Sequence, residues 1–249
     1  MESKHDNTLN APPQTTDSLP WVSETVFGKW FVSLSMWRRF VVQEAIWCLE
    51  RLSDQANLRP APGGVVLDVG CGGGAALDLL AQAFKPREII GIDIDAILVD
   101  EARQKSDGSN VCIKVREGTI YALSAEAESV DVVFCHQLLH HLTHQSRALA
   151  EMYRVLKPGG LLMVSESCDS FLQRWWVRAF FRHPRIEQKS AHEYRQLLNS
   201  EHFEVADKAV DLAAPWWSDR YFNLLGPADS IASDNAAEFT AVARKPFSI

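Results

Sequence analysis

The sequence predicts an α/β fold in which a mostly parallel sheet is covered by helices on both faces. Strand-like and helix-like segments alternate from about residue 64 onward. Most of the strand-like segments, such as VVLDV and VDVVFC, carry apolar residues on both faces, which favours strands buried between two helical layers. A glycine-rich turn follows the first of them.

The alternation defines each element of this core in order. Strands are expected at 64–70, 88–93, 111–117, 130–136 and 160–166, and helices at 75–84, 96–105 and 144–156. The helical segments carry apolar residues at intervals of three and four, whereas the strands are short and rich in Val and Ile. Strands that alternate with helices of this length predict parallel crossover units.

Composition excludes several function classes. The formal net charge of -7 argues against a general affinity for nucleic acid, which needs a clustered excess of Lys and Arg. The five cysteines are odd in number and lack CxxC spacing, so neither a disulfide framework nor a cysteine zinc site is expected. No stretch approaches the ~18 apolar residues of a membrane span, and we expect a cytoplasmic protein.

Three regions differ in character along the chain. Residues 1–20 are polar and proline-rich and are predicted to be a disordered tail. Residues 21–60 are predicted to form an N-terminal helical lid, and residues 61–249 one catalytic domain. Apolar residues at three- and four-residue spacing predict one helical stripe in the lid, formed by Trp30, Leu34, Trp37, Val41, Ala45, Cys48 and Leu52.

The turn after the first strand carries glycines at positions 70, 72 and 74. Open parallel sheets bind ligands at the carboxyl ends of their strands, and a glycine turn there lets a ligand approach the backbone. The pattern Gly70-x-Gly72-x-x-Ala75 also satisfies the loose dinucleotide fingerprint. The glycines alone therefore do not distinguish a dinucleotide from another nucleoside ligand.

Two acidic residues narrow the choice of ligand. Asp93 ends the second strand, where a carboxylate can accept hydrogen bonds from both hydroxyls of a ribose, while Asp95 is better placed to cap the next helix. Asp68 lies two residues before Gly70, where it would repel a pyrophosphate and attract a cation. S-adenosylmethionine carries a sulfonium and an ammonium group, so it suits Asp68 better than NAD does.

Four segments in order resemble the class I, Rossmann-like methyltransferases that use S-adenosylmethionine, in particular the group that acts on small molecules and quinone precursors. The segments are LDVGCGGG, IIGIDID, VDVVFCHQLLHHL and ALAEMYRVLKPGGLLMVSE. The resemblance implies a doubly wound, seven-stranded sheet with an antiparallel last strand. It also implies an N-terminal helical lid and an aromatic insertion, at about 169–190, after the fifth strand.

The resemblance also implies a cofactor site. The methionine part would lie by Asp68, Gly70, Cys71 and Gly72, and by the backbone of Cys135 and His136; Asp93 would bind the ribose, and Ile94 the adenine face. Thr119 stands where the family often has an aspartate that reads the adenine amino group, so the hydroxyl of Thr119 and the amide of Ile120 are expected to make that contact.

Histidines cluster in the segment CHQLLHHLTH, close to the expected position of the methyl group. His136 and His140 are the leading candidates for a general base, and structural hydrogen bonding is the alternative. No metal is expected, because no carboxylate or cysteine falls at matching spacing. Glu166, after the fifth strand, is a further candidate that could equally be structural.

The insertion interleaves aromatic residues with Arg174, Arg178, Arg182 and Arg185, whose fourfold spacing predicts one basic helix face. Three interpretations stay open: an apolar pocket with a basic mouth, a peripheral membrane contact through 171–185, and a lid packed on the core with solvated arginines. The tryptophans predicted to contact the acceptor are Trp30, Trp37, Trp175, Trp176 and Trp216.

The sequence therefore predicts an S-adenosylmethionine-dependent methyltransferase whose acceptor is a small apolar or aromatic, or lipid-like, molecule. A module that binds S-adenosylmethionine without transferring methyl, for regulation or partner binding, is the alternative from another class. A NAD-dependent reductase is opposed by Asp68 and by the downstream motifs.

Overall fold

A seven-stranded sheet forms the centre of the protein, with strand order β3-β2-β1-β4-β5-β7-β6. The computed structural model describes residues 22, 25–34, 38–184, 187–212 and 236–247. The strands are β1 (Val65–Val69), β2 (Glu88–Asp93), β3 (Cys112–Glu117), β4 (Val130–His136), β5 (Leu156–Ser167), β6 (Val210–Asp211) and β7 (Glu238–Arg244). β7 runs antiparallel to both β5 and β6, and the pairs from β3 to β5 are parallel, which confirms the predicted fold.

Helices flank this sheet and extend beyond it. They are α1 (Val26–Ser33), α2 (Gln43–Ala56), α3 (Leu77–Phe84), α4 (Ala96–Ser106), α5 (Gln145–Val155), α6 (Asp169–Leu172), α7 (Trp175–Phe180) and α8 (Ala191–Ser200). The register aligns the carboxyl ends of the central strands, since Val69 of β1 lies opposite Ile92 of β2 and Cys135 of β4. The segments that follow these strands consequently meet along one edge of the sheet.

Two apolar clusters cover the two faces of the sheet. Val66 packs on one face among residues of α2, α3 and α4, whereas Leu67 packs on the other among residues of α5 and α8. All five residues of β1 are buried, as expected for a strand between two helical layers. β3 differs because it forms an edge of the sheet, and most of its side chains are exposed or half-buried.

The predicted single helical stripe before the first strand was wrong. α1 ends at Leu34, whose backbone is extended, and a separate helix begins with a π-helical turn, Arg38–Val42, that leads into α2. The two helices pack on different partners: α2 buries Leu52 against the sheet, while Trp30 of α1 is 56% exposed. The predicted lid is thus divided, and α2 is a layer of the core.

The insertion after β5 contains two short helices, so the expected single basic helix face was also wrong. Only Arg178 lies within α7; Arg174 is extended before the helix, and Arg182 follows its end. Pro184 gives a physical reason, because the residue before a proline is disfavoured in helical conformation and helices end ahead of it. Arg185 lies outside the described residues.

α1 and the insertion pack together into one unit, which we call the aromatic cover (residues 25–34 and 169–184). The rings of Phe27 and Phe180 are 5.1 Å apart, and those of Phe31 and Phe181 are 5.7 Å apart. Thr25 caps α1 by accepting a hydrogen bond from the amide of Gly28, and its hydroxyl donates to the carbonyl of Phe180 at 2.6 Å.

All five cysteines fall within the described residues, and each is a free thiol. In the same part of the chain, no helix combines the length and apolar character needed to cross a bilayer. Residues 1–20, predicted to be a disordered tail, lie outside the described residues.

Candidate functional site

Gly70 and Gly72, in the turn after β1, are favoured as glycines for different structural reasons. Both adopt left-handed backbone conformations, with φ of +72° at Gly70 and +50° at Gly72. A Cβ at Gly70 would lie 3.0 Å from the side chain of Leu138, whereas a Cβ at Gly72 would meet no atom within 4 Å. Packing within the protein therefore requires Gly70, while Gly72 borders open space that a ligand can enter.

Asp93 ties the turn after β1 to the ends of β2 and β3. Its Oδ2 accepts a hydrogen bond from the amide of Gly72 at 2.7 Å, and its Oδ1 accepts one from the amide of Asp95 at 2.9 Å. Its carbonyl accepts a third from the amide of Gly118. A carboxylate offers about four lone-pair sites, so Asp93 keeps acceptor capacity for ribose hydroxyls.

Asp68 is a buried carboxyl that lacks a hydrogen-bond partner on one oxygen. The residue is 2% exposed, and its Oδ2 atom is buried without a partner. Burial, and then the nearby charge of Asp93, raise the pKa of Asp68 to about 8. A cationic ligand beside this carboxyl would satisfy the oxygen and stabilise its ionised form, so the site fits a sulfonium or ammonium group.

The other residues predicted to contact the cofactor lie along the same edge of the sheet, but they differ in which of their atoms are available to a ligand. A Cβ at Gly91 would lie 3.0 Å from Sγ of Cys71, so the Cys71 side chain points inward and only its backbone is available to a ligand. Ile94 is half-buried. The Oγ1 of Thr119 accepts a hydrogen bond from the amide of Tyr121 at 3.3 Å, and Ile120 packs against the core.

Glu166 organises the loop that follows β4. Its side chain is fully buried, and its Oε1 accepts hydrogen bonds from the amides of Leu138 and Leu139 at 2.9 and 2.8 Å. Its Oε2 lies 2.7 Å from Nδ1 of His140. Burial raises the pKa of Glu166 to about 7, and the two amides oppose that shift. The geometry gives Glu166 a positioning role, which was one of the two alternatives left open by the sequence.

The two histidines predicted as general bases lie in different settings. The Nε2 atom of His136 is buried without a hydrogen-bond partner, whereas Nδ1 of His140 is engaged by Glu166. Burial lowers the pKa of His136 to about 4 and that of His140 to about 3, so both rings are neutral at physiological pH. Cys135 is fully buried, with its thiol directed at Glu166.

A third ring joins His140 and His141 from the aromatic cover. The ring centroids of His140 and His141 are 4.3 Å apart, and that of His183 lies 5.0 and 4.9 Å from them. No spacing in the sequence connects His183 with the other two, because it lies in the insertion and follows no ligand pattern. The long-range packing of the cover brings the three together.

A cavity of about 490 Å³ opens beside this cluster. Leu172, Phe181, Arg178, Arg182 and His183 are among the residues that line it. Thr25, Gln173 and Gln188 add polar groups to the lining, so the cavity is mainly polar, with two guanidinium groups and apolar contact from Leu172 and Phe181.

The tryptophans predicted to contact the acceptor lie elsewhere on the surface or outside the described part. Trp30 is 56% exposed and Trp175 is 79% exposed, while Trp176 packs edge-on against Phe171 at 5.5 Å. Trp37 and Trp216 lie outside the described residues. None of the three described tryptophans lines the cavity, so their contact with an acceptor stays a prediction.

Comparison with known proteins connects this geometry to a family. The family described as "Methyltransferase domain" matches residues 67–164, the span from β1 to β5. A ubiquinone biosynthesis O-methyltransferase of Hahella chejuensis is 40% identical over 118 residues, which cover 47% of this chain and 48% of that protein. A protein of Mycolicibacterium smegmatis named "Probable S-adenosylmethionine-dependent methyltransferase" is 37% identical over 150 residues, or 57% of this chain and 52% of that protein.

The chain thus spans about half the length of these two relatives. Among solved structures, an S-adenosylmethionine-dependent methyltransferase of Aquifex aeolicus superposes with a TM-score of 0.59 at 19% identity, covering 87% of this chain and 96% of that one. At this identity the likeness bears on the fold alone. The superposition covers more of this chain than residues 67–164, the segment that the family match covers.

Proposed function

We propose that the chain is a class I, Rossmann-like S-adenosylmethionine-dependent methyltransferase that transfers a methyl group from S-adenosylmethionine to a small apolar or aromatic acceptor. The match of residues 67–164 to the methyltransferase-domain family and the similarity to a relative named as such a methyltransferase support the proposal. The observation that carries the proposal is Asp68, a buried carboxyl with an unpartnered oxygen two residues before Gly70. Such a group is costly unless a cation satisfies it.

Different residues at the edge of the sheet would bind different parts of the donor. Asp68 would accept the positive end of the methionine part, Gly72 would leave room along the backbone, and Asp93 would accept the ribose hydroxyls. When bound, S-adenosylmethionine supplies a methyl group already activated by its sulfonium leaving group. The protein's contribution is then orientation of the acceptor and exclusion of water.

We assign the proton-accepting role, where an acceptor needs one, to His136. Its Nε2 atom is buried and without a partner, and the ring is neutral at physiological pH. His140 is less suited, because Glu166 already holds its Nδ1. The lowered pKa makes His136 a weak base, so it assists a reaction that depends mainly on alignment.

The cavity within the aromatic cover supports the choice of acceptor. Leu172 and Phe181 can contact an apolar or aromatic part of the acceptor. Arg178 and Arg182 can form ion pairs with an acidic substituent. His183 on the cavity wall contacts His140 and His141, which follow β4, so the cavity adjoins the loop near the methyl group. We therefore propose an acceptor with an apolar or aromatic body and a negatively charged group.

Calorimetry of the full chain tests the donor assignment. We expect S-adenosylmethionine to bind and NAD not to bind, and Asp93→Ala to weaken binding by about tenfold or more, since two ribose hydrogen bonds are lost. Asp95→Ala is the matched control: it removes the neighbouring carboxylate, which caps α4, and should leave the affinity nearly unchanged. Absence of S-adenosylmethionine binding by the wild type would refute the proposal.

A second experiment tests transfer. The protein is incubated with S-adenosylmethionine labelled in its methyl group and a metabolite extract, and mass spectrometry identifies which compounds gain the label. We expect a labelled acid with an apolar or aromatic body. Donor binding without a labelled product across many extracts would favour the non-catalytic binding module instead.

A membrane surface is a second candidate location for the acceptor, favoured by one specific observation. Val26, Phe27 and Trp30 of α1 are exposed, and Phe180 of the insertion joins them through its contact with Phe27. Exposed aromatic rings beside Arg178 and Arg182 suit anionic lipid. Co-sedimentation with phosphatidylglycerol vesicles, lost in Arg178→Glu/Arg182→Glu, would support this location, and no binding at low salt would exclude it.

A further inference from the structure

Three imidazole rings from two distant parts of the chain meet at the boundary between the loop after β4 and the aromatic cover. His140 and His141 belong to a 3-10 turn, Leu139–His141, and His183 belongs to the cover. One ring nitrogen of each lies within 4.8 Å of the other two. We propose that His140, His141 and His183 bind one divalent transition-metal ion of the zinc type.

Hydrogen bonds to two of these rings set the tautomer that metal binding needs. Nδ1 of His140 lies 2.7 Å from the Glu166 carboxylate, and Nδ1 of His141 lies 3.2 Å from the carbonyl of Val22. When Nδ1–H donates to an oxygen, a neutral imidazole carries its lone pair on Nε2. Metal-binding histidines in proteins characteristically donate their other N–H to a carboxylate or a backbone carbonyl. Both kinds of partner are present here.

The distances are compatible with coordination after a small contraction. Zinc binds imidazole nitrogen at about 2.0–2.1 Å in tetrahedral geometry, which places ligand nitrogens about 3.3 Å apart, so each ring must move inward by about 1 Å or less. His183 lies outside any helix or strand, in a segment that can move toward the turn more easily than a helix can. Three nitrogen ligands favour zinc, cobalt, nickel or copper over magnesium and calcium.

The site would also supply a neutralising charge. Three neutral imidazoles do not compensate the positive charge of a divalent ion. The carboxylate of the fully buried Glu166, which contacts Nδ1 of His140, would supply a negative charge. In the part of the chain that the structure describes, this is the only group of three or more metal-ligating side chains with that spacing. Sequence spacing predicted no metal because the third ligand comes from the cover.

Bound metal would fasten the cover to the core. His183 lines the cavity proposed for the acceptor, so the ion would lie at the wall of that cavity, with three protein ligands and a fourth position for water or another ligand. The metal site itself does not depend on the proposed methyl transfer, because it can be measured with no donor or acceptor present.

Titration with zinc or cobalt alone tests the proposal. The full chain is stripped with a chelator, dialysed, and titrated with Co²⁺ while visible absorption is recorded, and Zn²⁺ affinity is measured by competition. We expect one ion per chain, intense cobalt bands typical of four-coordinate geometry, and a loss of about 100-fold or more in affinity in His183→Gln. The control, His144→Gln, removes an exposed histidine outside the cluster and should bind like the wild type.

Two results would overturn the proposal: a wild-type chain that binds no stoichiometric Co²⁺ or Zn²⁺, or a cobalt spectrum that is the same in His183→Gln, His141→Gln and the wild type. Far-UV circular dichroism reports whether each variant folds, and the wild-type titration decides the matter even if one does not. S-adenosylmethionine binding by the metal-free wild type is measured in parallel, so failure of the metal site and failure of the proposed function are distinguishable.

Discussion

Nδ1 of His140 and Oε2 of Glu166 lie 2.7 Å apart, in a pair almost fully removed from solvent. The same carboxylate accepts the amides of Leu138 and Leu139. One side chain from the end of β5 therefore fixes both the path of the loop after β4 and the orientation of an imidazole within it. Substitution of Glu166 should therefore change both the stability of the fold and the affinity for metal, which can be measured separately.

We predict that Glu166→Gln weakens both metal binding and the stability of the fold. Glutamine keeps an oxygen for the two amides but presents an NH₂ group to Nδ1 of His140, which forces the ring into the other tautomer. We expect Zn²⁺ affinity to fall about 10–100-fold, and the free energy of unfolding to fall by about 1–3 kcal/mol. Urea titration and chelator competition measure the two effects, with the exposed Glu44→Gln as control. Unchanged metal affinity would contradict the positioning role.

Two glycine substitutions should separate stability from donor binding. Gly70→Ala combines a left-handed φ with a Cβ 3.0 Å from Leu138, whereas Gly72→Ala has the φ but an open Cβ position. The left-handed conformation costs an alanine about 1–2 kcal/mol, and crowding adds to this at Gly70. We expect Gly70→Ala to lower Tm more than Gly72→Ala does. Gly72→Ala should instead intrude on the donor and weaken its binding.

Thermal unfolding measures the Tm of both glycine variants, and calorimetry measures their affinity for the donor. Equal donor affinity in Gly72→Ala and the wild type would show that the donor does not approach the backbone at this turn.

Asp68→Asn should stabilise the ligand-free protein while weakening donor binding. The pKa of Asp68 rises from its ordinary value of 3.8 to about 8 on folding. Between those two values the folded state holds a proton that the unfolded state has lost, so the stability of the wild type falls as pH rises through this window. Asparagine does not titrate, and its advantage should grow from about pH 4 to pH 8 and then level off. An advantage of about 1 kcal/mol would raise Tm by about 2–4 °C.

The same carboxyl makes donor affinity depend on pH with the opposite sign. A cation binds the ionised form, so a proton must leave below pH 8 and affinity should increase as pH rises toward that value. Thermal scans and calorimetry from pH 5 to about 9 check both trends, with the exposed Asp107→Asn as control. A wild type and an Asp68→Asn variant with parallel pH profiles would exclude a raised pKa at Asp68.

His136→Gln should slow methyl transfer without changing donor binding. Glutamine fills much of the space of the ring but cannot take up a proton. For an acceptor that loses a proton, we expect kcat to fall about 10²-fold, the lower end of the range for general bases because His136 is a weak base, while the Kd for S-adenosylmethionine stays the same. Rates with the labelled acceptor, compared with His144→Gln, measure this. A kcat equal to that of the wild type would remove His136 from the chemistry.

The core strands and the positions of the acids beside the glycine turn could be predicted because their determinants are local. Strand periodicity, the glycine turn and the acids at the ends of β1 and β2 follow from short stretches of sequence, and the register aligns them as expected. Asp68 was identified from its position alone. Its missing partner and raised pKa required the packed structure.

The aromatic cover and the cavity proposed for the acceptor could not be predicted in the same way, because they depend on packing between distant segments. An apolar spacing of three and four continued through Leu34 and suggested one helix, yet the two halves pack on different surfaces. The spacing of the arginines likewise suggested one helix, because it did not take into account that Pro184 disfavours helical structure before it. Nothing local connects His183 with His140, since only the folded cover brings them together.

The bond between Thr25 and the carbonyl of Phe180 spans 155 residues of chain. Together with the ring contacts of Phe27 and Phe31, it joins two segments that are far apart in the sequence into one packed unit. A chimera that received only the insertion of a relative would set a foreign surface against α1. Transplanting acceptor preference between such proteins therefore requires exchanging residues 25–34 and 169–184 as a matched pair.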